Sequence, residues 1–312
     1  MINADPKNAR VVKPYVNGDD LNGLPPGTIL RWIVDFRTIS EDIASTFKLP
    51  FSHVKEQVQP FRFAQDPTQY QTMIDFWWQH WRPRKELYDA IKDQKRIIVM
   101  ALTSKYICST FISVGFVYDQ TLICIPSESS FILCVLQSWI HAVWAIQFGA
   151  TIGETFRYNP TRCYQTFPFP EKSQYLEYLG QQYWLDRELS MKNREVGLTG
   201  IYNILHNQSE KSEDVAQIRN LQMEMDNAVA AAYGWTDLDL GHGFHETKQG
   251  IRFTISEEAR RIVLDRLLEL NHQRYEEEVK AGLHDKKSQG RKNKEPEESG
   301  SANDSQLNIF HQ

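Results

Sequence analysis

Cysteine is scarce in this sequence, and its few cysteines form no motif. The four residues Cys108, Cys124, Cys134 and Cys163 are scattered, without a C-x-x-C pair. Zinc sites and disulfide scaffolds use more regular spacings, so both are poor explanations, and reduced thiols are typical of the cytosol. The first residues are polar and do not resemble a signal peptide. We therefore expect a cytoplasmic protein with reduced cysteines.

The sequence also lacks an uninterrupted apolar run long enough for a membrane span. Residues 131–148 are the most apolar stretch, and eighteen residues would nearly cross a bilayer. However, Gln137, Ser138, His141 and Gln147 interrupt this stretch. The pattern predicts a buried helix packed on a sheet, and no membrane association.

No strong excess of one charge sign is present. The chain of 312 residues has 35 Lys and Arg against 40 Asp and Glu, and its pI is near 6.0. Residues 1–170 contain 17 basic and 15 acidic residues, whereas the remainder contains 18 and 25. This balance argues against a histone-like electrostatic binder and indicates that any contact with DNA is local.

Motifs for base methylation are missing as well. Enzymes that modify an exocyclic amine use an Asn-Pro-Pro-aromatic type of loop around the extruded base. The nearest match, Asn159-Pro160-Thr161-Arg162, lacks the second proline and the aromatic residue, and it is typical of a turn before a strand. Gly149 and Gly153 are too sparse for an S-adenosylmethionine loop. We expect no catalytic residue and no cofactor site in this chain.

A weak nuclease pattern leaves one enzymatic alternative open. Mg²⁺-dependent nucleases need clustered acids and a lysine. Asp239, Glu246 and Lys248 resemble such a set superficially, but their segment is rich in Gly and His and lacks an apolar strand. The sequence favours a surface loop without a metal over a cryptic nuclease site.

The order of the elements predicts an α+β protein. Apolar strand-like runs at 30–36, 96–102, 107–117 and 121–125, together with a short helix capped by Ser40, form a mixed α/β first domain over residues 1–170. Its last segment, 149–170, is rich in turn residues and ends Phe-Pro-Phe-Pro. Helices predicted over 175–193, 212–232 and 256–280 form a mostly helical C-terminal domain, residues 171–283. Residues 284–312 have the composition of a disordered tail.

Basic residues near aromatic ones are the remaining functional signal. Arg82 and Arg84 follow a predicted Trp-rich helix, Lys105 lies between two strands, and Arg157 and Arg162 lie in the turn-rich segment. Such side chains clamp phosphates and contact guanine edges, so these five are the candidate DNA-binding residues. The tryptophans are expected in the core instead, and they include Trp32, Trp139 and Trp144.

Several motifs in a fixed order resemble one family. They are the segments 14–21 (PYVNGDDL), 31–36 (RWIVDF), 82–84 (RPR), 136–141 (LQSWIH) with Trp144, 157–164 (RYNPTRCY), 167–170 (FPFP), 226–235 (DNAVAAAYGW) and 267–271 (LLELN). Together they resemble the C-terminal portion of adenine-specific DNA methyltransferases of the MmeI type, over about residues 10–283. In that family this portion is a target recognition domain followed by a helical region.

The resemblance implies recognition of double-stranded DNA without methyl transfer by this chain. The family's methyltransferase domain, which would bind S-adenosylmethionine, precedes the corresponding portion, and we expect it to be absent here. The implied partners are therefore double-stranded DNA and a methyltransferase domain or subunit. A second hypothesis is that the chain is an assembly piece whose helical part docks on a separate methyltransferase.

A short apolar cluster stands near the end of the polar tail. Residues 306–310, Gln-Leu-Asn-Ile-Phe, resemble the peptide with which bacterial DNA enzymes bind the sliding clamp. Docking on the clamp, packing back on the helical domain, and a chance match are the three interpretations that the sequence leaves open.

Overall fold

The first strands form a small sheet at the N-terminus of the chain, which a computed structural model describes over residues 1–153 and 155–283. A 3-10 helix (Pro6–Arg10) leads into β1 (Val12–Val16), which pairs antiparallel with β2 (Arg31–Val34). Helix α1 (Gly18–Gly23) connects these strands, and the Asn17 side chain caps it by accepting from the Asp20 amide at 2.9 Å. The predicted strand over 30–36 is confirmed.

Short helices follow the sheet and close a second core. They are α2 (Glu41–Ser45), α3 (Lys48–Gln57), α4 (Gln59–Phe63), α5 (Pro67–Asp75) and α6 (Lys85–Ile91). Ser40 caps α2 as predicted. The predicted Trp-rich helix is wrong in its extent, because α5 ends at Asp75 and the tryptophans follow it. Trp77 and Trp78 are buried there against Phe36 and Phe47.

Trp32 corrects the predicted core. Its side chain is 55% exposed on β2, whereas Trp144 is buried and Trp139 is half-buried. Trp32 lies on the solvent-exposed face of β2. The sequence pattern of a strand alone does not say which of its two faces packs against the core.

The central sheet lies in the main core. Strand β3 (Arg96–Ala101) is flanked antiparallel by β5 (Ser109–Ser113) and β7 (Leu122–Ile125). Two short strands that come between these in the sequence belong to other sheets. They are β4 (Thr103–Ser104) and β6 (Val117–Tyr118), and β6 pairs parallel with β1. The next helices, α7 (Ser130–Gln137) and α8 (Trp139–Phe148), are largely buried against this sheet.

The apolar stretch 131–148 is two helices and not the single predicted one. Ser138 ends α7 and caps α8, since its Oγ accepts from the His141 amide at 3.2 Å. Among the described residues, no single helix is long and apolar enough to cross a membrane, and only α7 and α8 together, bent by 64°, meet that test of length and composition.

The segment 149–170 is more regular than its composition predicts. It contains β8 (Ala150–Ile152), β9 (Thr155–Arg157) and a π-helix (Pro160–Tyr164). The expectation of a turn before a strand at 159–162 is therefore wrong, because Asn159 caps the π-helix. Strands β8 and β9 are too short to show an alternating hydrophobic pattern, and the pairing of β9 with β4, which is distant in the sequence, stabilises them.

The second half of the chain is mostly helical, as predicted. It consists of α9 (Gln174–Asn193), α10 (Leu198–Leu205), α11 (Glu213–Ala232), the hairpin β10 (Gly243–Thr247) and β11 (Gly250–Thr254), and α12 (Glu257–Lys280). The α+β fold class is confirmed. Trp144, Leu179 and Val229 share one core cluster, so side chains from both halves pack together. The division at residue 170 stays a prediction, and the tail predicted over 284–312 lies outside the described residues.

Gly180 allows α9 to approach α7 closely. A Cβ at this position would overlap the Ser130 carbonyl oxygen and lie 2.9 Å from the Cys134 Cβ. We expect Gly180→Ala to lower the free energy of unfolding by about 1–3 kcal/mol, because the two helices must separate to admit the methyl group. Denaturation by urea measures the change. Gly23→Ala is the control, since no atom lies within 4 Å of its added Cβ; equal losses in both variants would contradict this packing argument.

Candidate nucleic-acid interface

A small three-stranded sheet brings two of the predicted basic residues together. Strand β9 is its centre and pairs antiparallel with β4 and β8. Arg157 lies opposite Thr103 in β4, and Lys105 follows the end of β4 by one residue. The Tyr158 amide extends this pairing by donating to the Leu102 carbonyl at 2.9 Å. Lys105 is therefore two residues from the strand partner of Arg157, although the two cations are 52 positions apart in the sequence.

Lys105 connects this sheet with the helical half. Its Nζ donates to Asn203 Oδ1 at 2.9 Å and lies 5.3 Å from the centre of the Tyr106 ring. The Tyr106 hydroxyl donates to the same Asn203 oxygen at 2.8 Å. The side chain is exposed, and its placement between two strands is confirmed. An ammonium held at a fixed position but open to solvent is suited to bind an anion.

Arg162 lies in the π-helix and not in an irregular turn. Asn159 holds the start of this helix, because its Oδ1 accepts from the Arg162 amide at 3.2 Å and its carbonyl accepts from the Cys163 amide at 2.7 Å. The Arg162 side chain is exposed, whereas Cys163 is fully buried. The backbone at Arg162 is therefore fixed while its guanidinium faces solvent.

The buried residues His141 and Cys163 hold the π-helix on the protein core. His141 Nδ1 lies 3.2 Å from the Leu136 carbonyl oxygen, and its Nε2 lies 3.0 Å from the Tyr158 hydroxyl and 3.3 Å from the Cys163 carbonyl oxygen. Burial lowers the pKa of His141 to about 4, so the imidazole is neutral at pH 7. Burial also raises the pKa of the Cys163 thiol to about 11. Both residues support the loop and are poorly suited to acid–base or nucleophilic chemistry.

Arg82 and Arg84 lie near a different sheet. Arg82 is exposed, and its guanidinium lies 5.3 Å from the centre of the Trp81 ring. Arg84 has a left-handed backbone (φ 49°) and donates from Nη1 to the carbonyls of Tyr118 and Asp119 at 3.2 and 3.3 Å. These bonds attach the start of α6 to β6. The guanidinium of Arg84 is therefore occupied by the protein itself, and its role in DNA binding stays a prediction.

A large cleft, which sequence reasoning missed, opens beside Lys105. It has a volume of about 960 Å³ and lies between the segment 105–107, α8, α10, α11 and the hairpin β10–β11. Trp139, Phe253 and Arg219 are among the residues that line it. These residues are far apart in the sequence, so no local motif marks the cleft. The hairpin had a local signal in the two-residue turn Lys248-Gln249, which is followed by Gly250 at the start of β11.

The predicted nuclease alternative falls on this hairpin. Glu246 and Thr247 belong to β10, so the predicted surface loop is wrong there, whereas Asp239 and Lys248 lie outside the strands as predicted. Asp239 accepts from the Gly241 amide at 2.9 Å. Within residues 1–153 and 155–283, no group of three or more His, Cys, Asp or Glu side chains could hold a metal ion. The described residues offer a catalytic Mg²⁺ no ligand set.

Comparisons with known proteins give a family match and a similar solved structure. The family model described as "MmeI, target recognition domain" matches residues 1–171. Among solved structures, the Type IIL restriction-modification enzyme MmeI, determined in complex with DNA, is similar in fold, with a TM-score of 0.62 and 16% sequence identity. The match covers 87% of this chain and 32% of that enzyme, so this chain spans about a third of its length. A comparison with curated proteins finds no match.

Proposed function

The chain belongs to the MmeI target recognition domain family, and on that premise we propose that it recognises a short sequence of double-stranded DNA within a restriction-modification enzyme. The observation that carries this proposal is that Lys105 directly follows β4 and Arg157 lies on β9, the strand that pairs with β4, while Arg162 lies five residues further along on the capped π-helix. Lys105 and Arg162 are exposed and Arg157 is half-buried, and cations on a hydrogen-bonded backbone suit contacts with phosphates and base edges.

The partner in this proposal is a methyltransferase domain or subunit. A target recognition domain has no catalytic site of its own, so the methyl group of S-adenosylmethionine would be transferred to adenine N6 on that partner. This chain would hold the duplex in register, and it would act in the cytoplasm. Binding of the sliding clamp through residues 306–310 is a further proposal, and that segment lies outside the described residues.

Alanine at Arg157 or Arg162 is expected to weaken binding to the specific duplex by about 1–3 kcal/mol each. Both backbones are held by hydrogen-bonded structure, so contacts by these side chains lose rotamer entropy but no further backbone entropy. Titration of a labelled specific duplex measures the change. Lys192→Ala removes an exposed cation of α9, paired with Glu188, and should leave the affinity unchanged. A lower melting temperature with unchanged affinity would make the arginines structural and contradict the assignment.

An assembly role is the second candidate function, favoured by one surface of α9. Tyr178, Leu185 and Leu189 are exposed there and recur at helical spacing, as in a helix that packs on another protein. A gel shift on random duplex pools at low salt separates the candidates. Binding with enrichment of one motif supports recognition, whereas no binding supports assembly alone.

A further inference from the structure

The cleft beside Lys105 contains a buried arginine without an acidic partner. Arg252, on β11, is 8% exposed. Its Nη1 donates to the Tyr106 hydroxyl at 2.7 Å, and its guanidinium lies 4.7 Å from the centre of that ring. Its Nε has no hydrogen-bond partner among the described residues. A buried charge with one neutral partner is costly, because the protein replaces little of the hydration that it loses.

Two more side chains of the same cleft have unused polar groups. Arg260, on α12, has an Nη1 3.6 Å from Glu257 Oε2, while its buried Nε and Nη2 have no partner in the described part of the chain. Thr254 is fully buried, and its Oγ1 likewise has no partner there. Both line the cleft together with Arg252. Two arginines and a threonine with unpaired polar atoms therefore line the same cleft.

The electrostatic environment of the cleft is positive. His206 lines it, and its Nδ1 accepts from the Phe253 amide at 3.2 Å. Burial, followed by the charges of Arg252, Arg219 and Lys105, lowers the pKa of His206 to about 3. The two acidic residues of the lining, Glu246 and Glu257, are exposed at its edge. The interior therefore favours an anion.

We propose that this cleft binds a phosphate group through the guanidiniums of Arg252 and Arg260. Donors from two separate elements need a ligand with several anionic oxygens on different sides, which suits phosphate better than a planar carboxylate. The walls also contain Trp139 and Phe253, against which an attached sugar or base can pack. Phosphate is common to a DNA strand and to a free nucleotide. Only the DNA source rests on the function proposed above.

The test uses the full chain and three variants at Arg260 and its neighbour. Arg260→Gln removes the charge, Arg260→Lys keeps it, and Arg261→Gln is the matched control. Arg261 is exposed on the same helix and pairs with the same Glu257, at 3.1 Å. Arg252 is unsuitable as the first target because its bond to Tyr106 also supports the fold.

One arm titrates inorganic phosphate and adenosine monophosphate by calorimetry, with chloride held constant. A second arm measures duplex affinity against salt concentration. For a nucleotide site, Arg260→Gln should weaken phosphate or nucleotide binding about tenfold or more, with partial recovery in Arg260→Lys. For a DNA site, Arg260→Gln should also lower the slope of log affinity against log salt by about 0.9, the release expected from one phosphate contact. Arg261→Gln should match the wild type in both arms.

The proposal is overturned if phosphate and nucleotide do not bind at millimolar concentrations and the salt slope of Arg260→Gln equals that of Arg261→Gln. Failure of the wild-type chain to bind any duplex would instead contradict the proposed function. In that case the phosphate and nucleotide titrations alone decide whether the cleft binds phosphate.

Discussion

Replacing Asp226 by alanine is expected to lower the free energy of unfolding by about 3–5 kcal/mol, the range for removing one partner of a buried charged network. Asp226 lies on α11 and is fully buried. Its carboxylate accepts from the Trp139 amide at 2.7 Å, from Gln222 Nε2 at 3.0 Å and from His242 Nε2 at 2.9 Å. Alanine would remove the acceptor of the Trp139 amide, the first amide of α8, and of His242, while Gln222 Nε2 would keep only its bond to the Gln137 carbonyl at 3.1 Å. Urea denaturation at neutral pH measures the loss.

Two further variants show whether the buried network is the cause. Asp226→Asn keeps an oxygen that can accept from Trp139, so its loss should be smaller than that of the alanine variant. Asp237→Ala removes an exposed carboxylate that pairs with Arg266 at 2.6 Å, and it should change stability by at most about 1 kcal/mol. Similar losses in Asp226→Ala and Asp237→Ala would refute the assignment.

Stability is expected to fall steeply between pH 6.5 and pH 4. The unfolded chain protonates His141 near pH 6.5, whereas burial lowers its pKa to about 4 in the folded protein. The unfolded state therefore binds more protons in this range, and the free energy of unfolding drops as pH decreases. From pH 7.5 to 5.0, His141 alone removes about 2 kcal/mol. His206, with a pKa lowered to about 3, acts in the same direction.

One buried group opposes this trend. Burial raises the pKa of the Asp226 carboxyl, so the folded state binds that proton more readily than the unfolded state and recovers part of the loss at the acid end. Urea midpoints at pH 7.5 and 5.0 measure the net effect. His141→Gln removes the titrating group and should reduce the difference between the two pH values. A wild-type protein equally stable at both would contradict the burial of these histidines.

Long periodic elements could be predicted from the sequence because local signals and packing agree. Ser212 and Ser256 each precede a long helix, at α11 and α12, and the predicted bounds fall within a residue of the structure. The β3 run was equally clear, since it is apolar on both faces. Such elements bury enough surface that tertiary structure does not override their propensity.

The elements that were missed are short and depend on distant partners. Strands β8 and β9 have three residues each and exist because β9 pairs with β4. Trp32 was expected in the core because it is apolar, but only the surrounding fold decides which face of β2 is covered. Local composition contains neither piece of information.

The candidate site was only partly accessible to sequence reasoning for the same reason. The basic residues could be selected by type and by their position near loops. Their grouping depends on register, which pairs Arg157 with Thr103 of β4, two residues before Lys105. The cleft depends further on Arg252 and Arg260, which reach it from the other half of the chain. No spacing rule joins positions 105 and 260.

Selection from a random pool of duplex DNA with the full chain tests the central claim most directly. The account predicts enrichment of one short motif, bound at least about a thousand times more tightly than scrambled duplex at physiological salt. Arg157→Ala or Arg162→Ala should lose part of that ratio. Equal binding of all duplexes, falling uniformly with salt and without an enriched motif, would contradict sequence recognition by this chain.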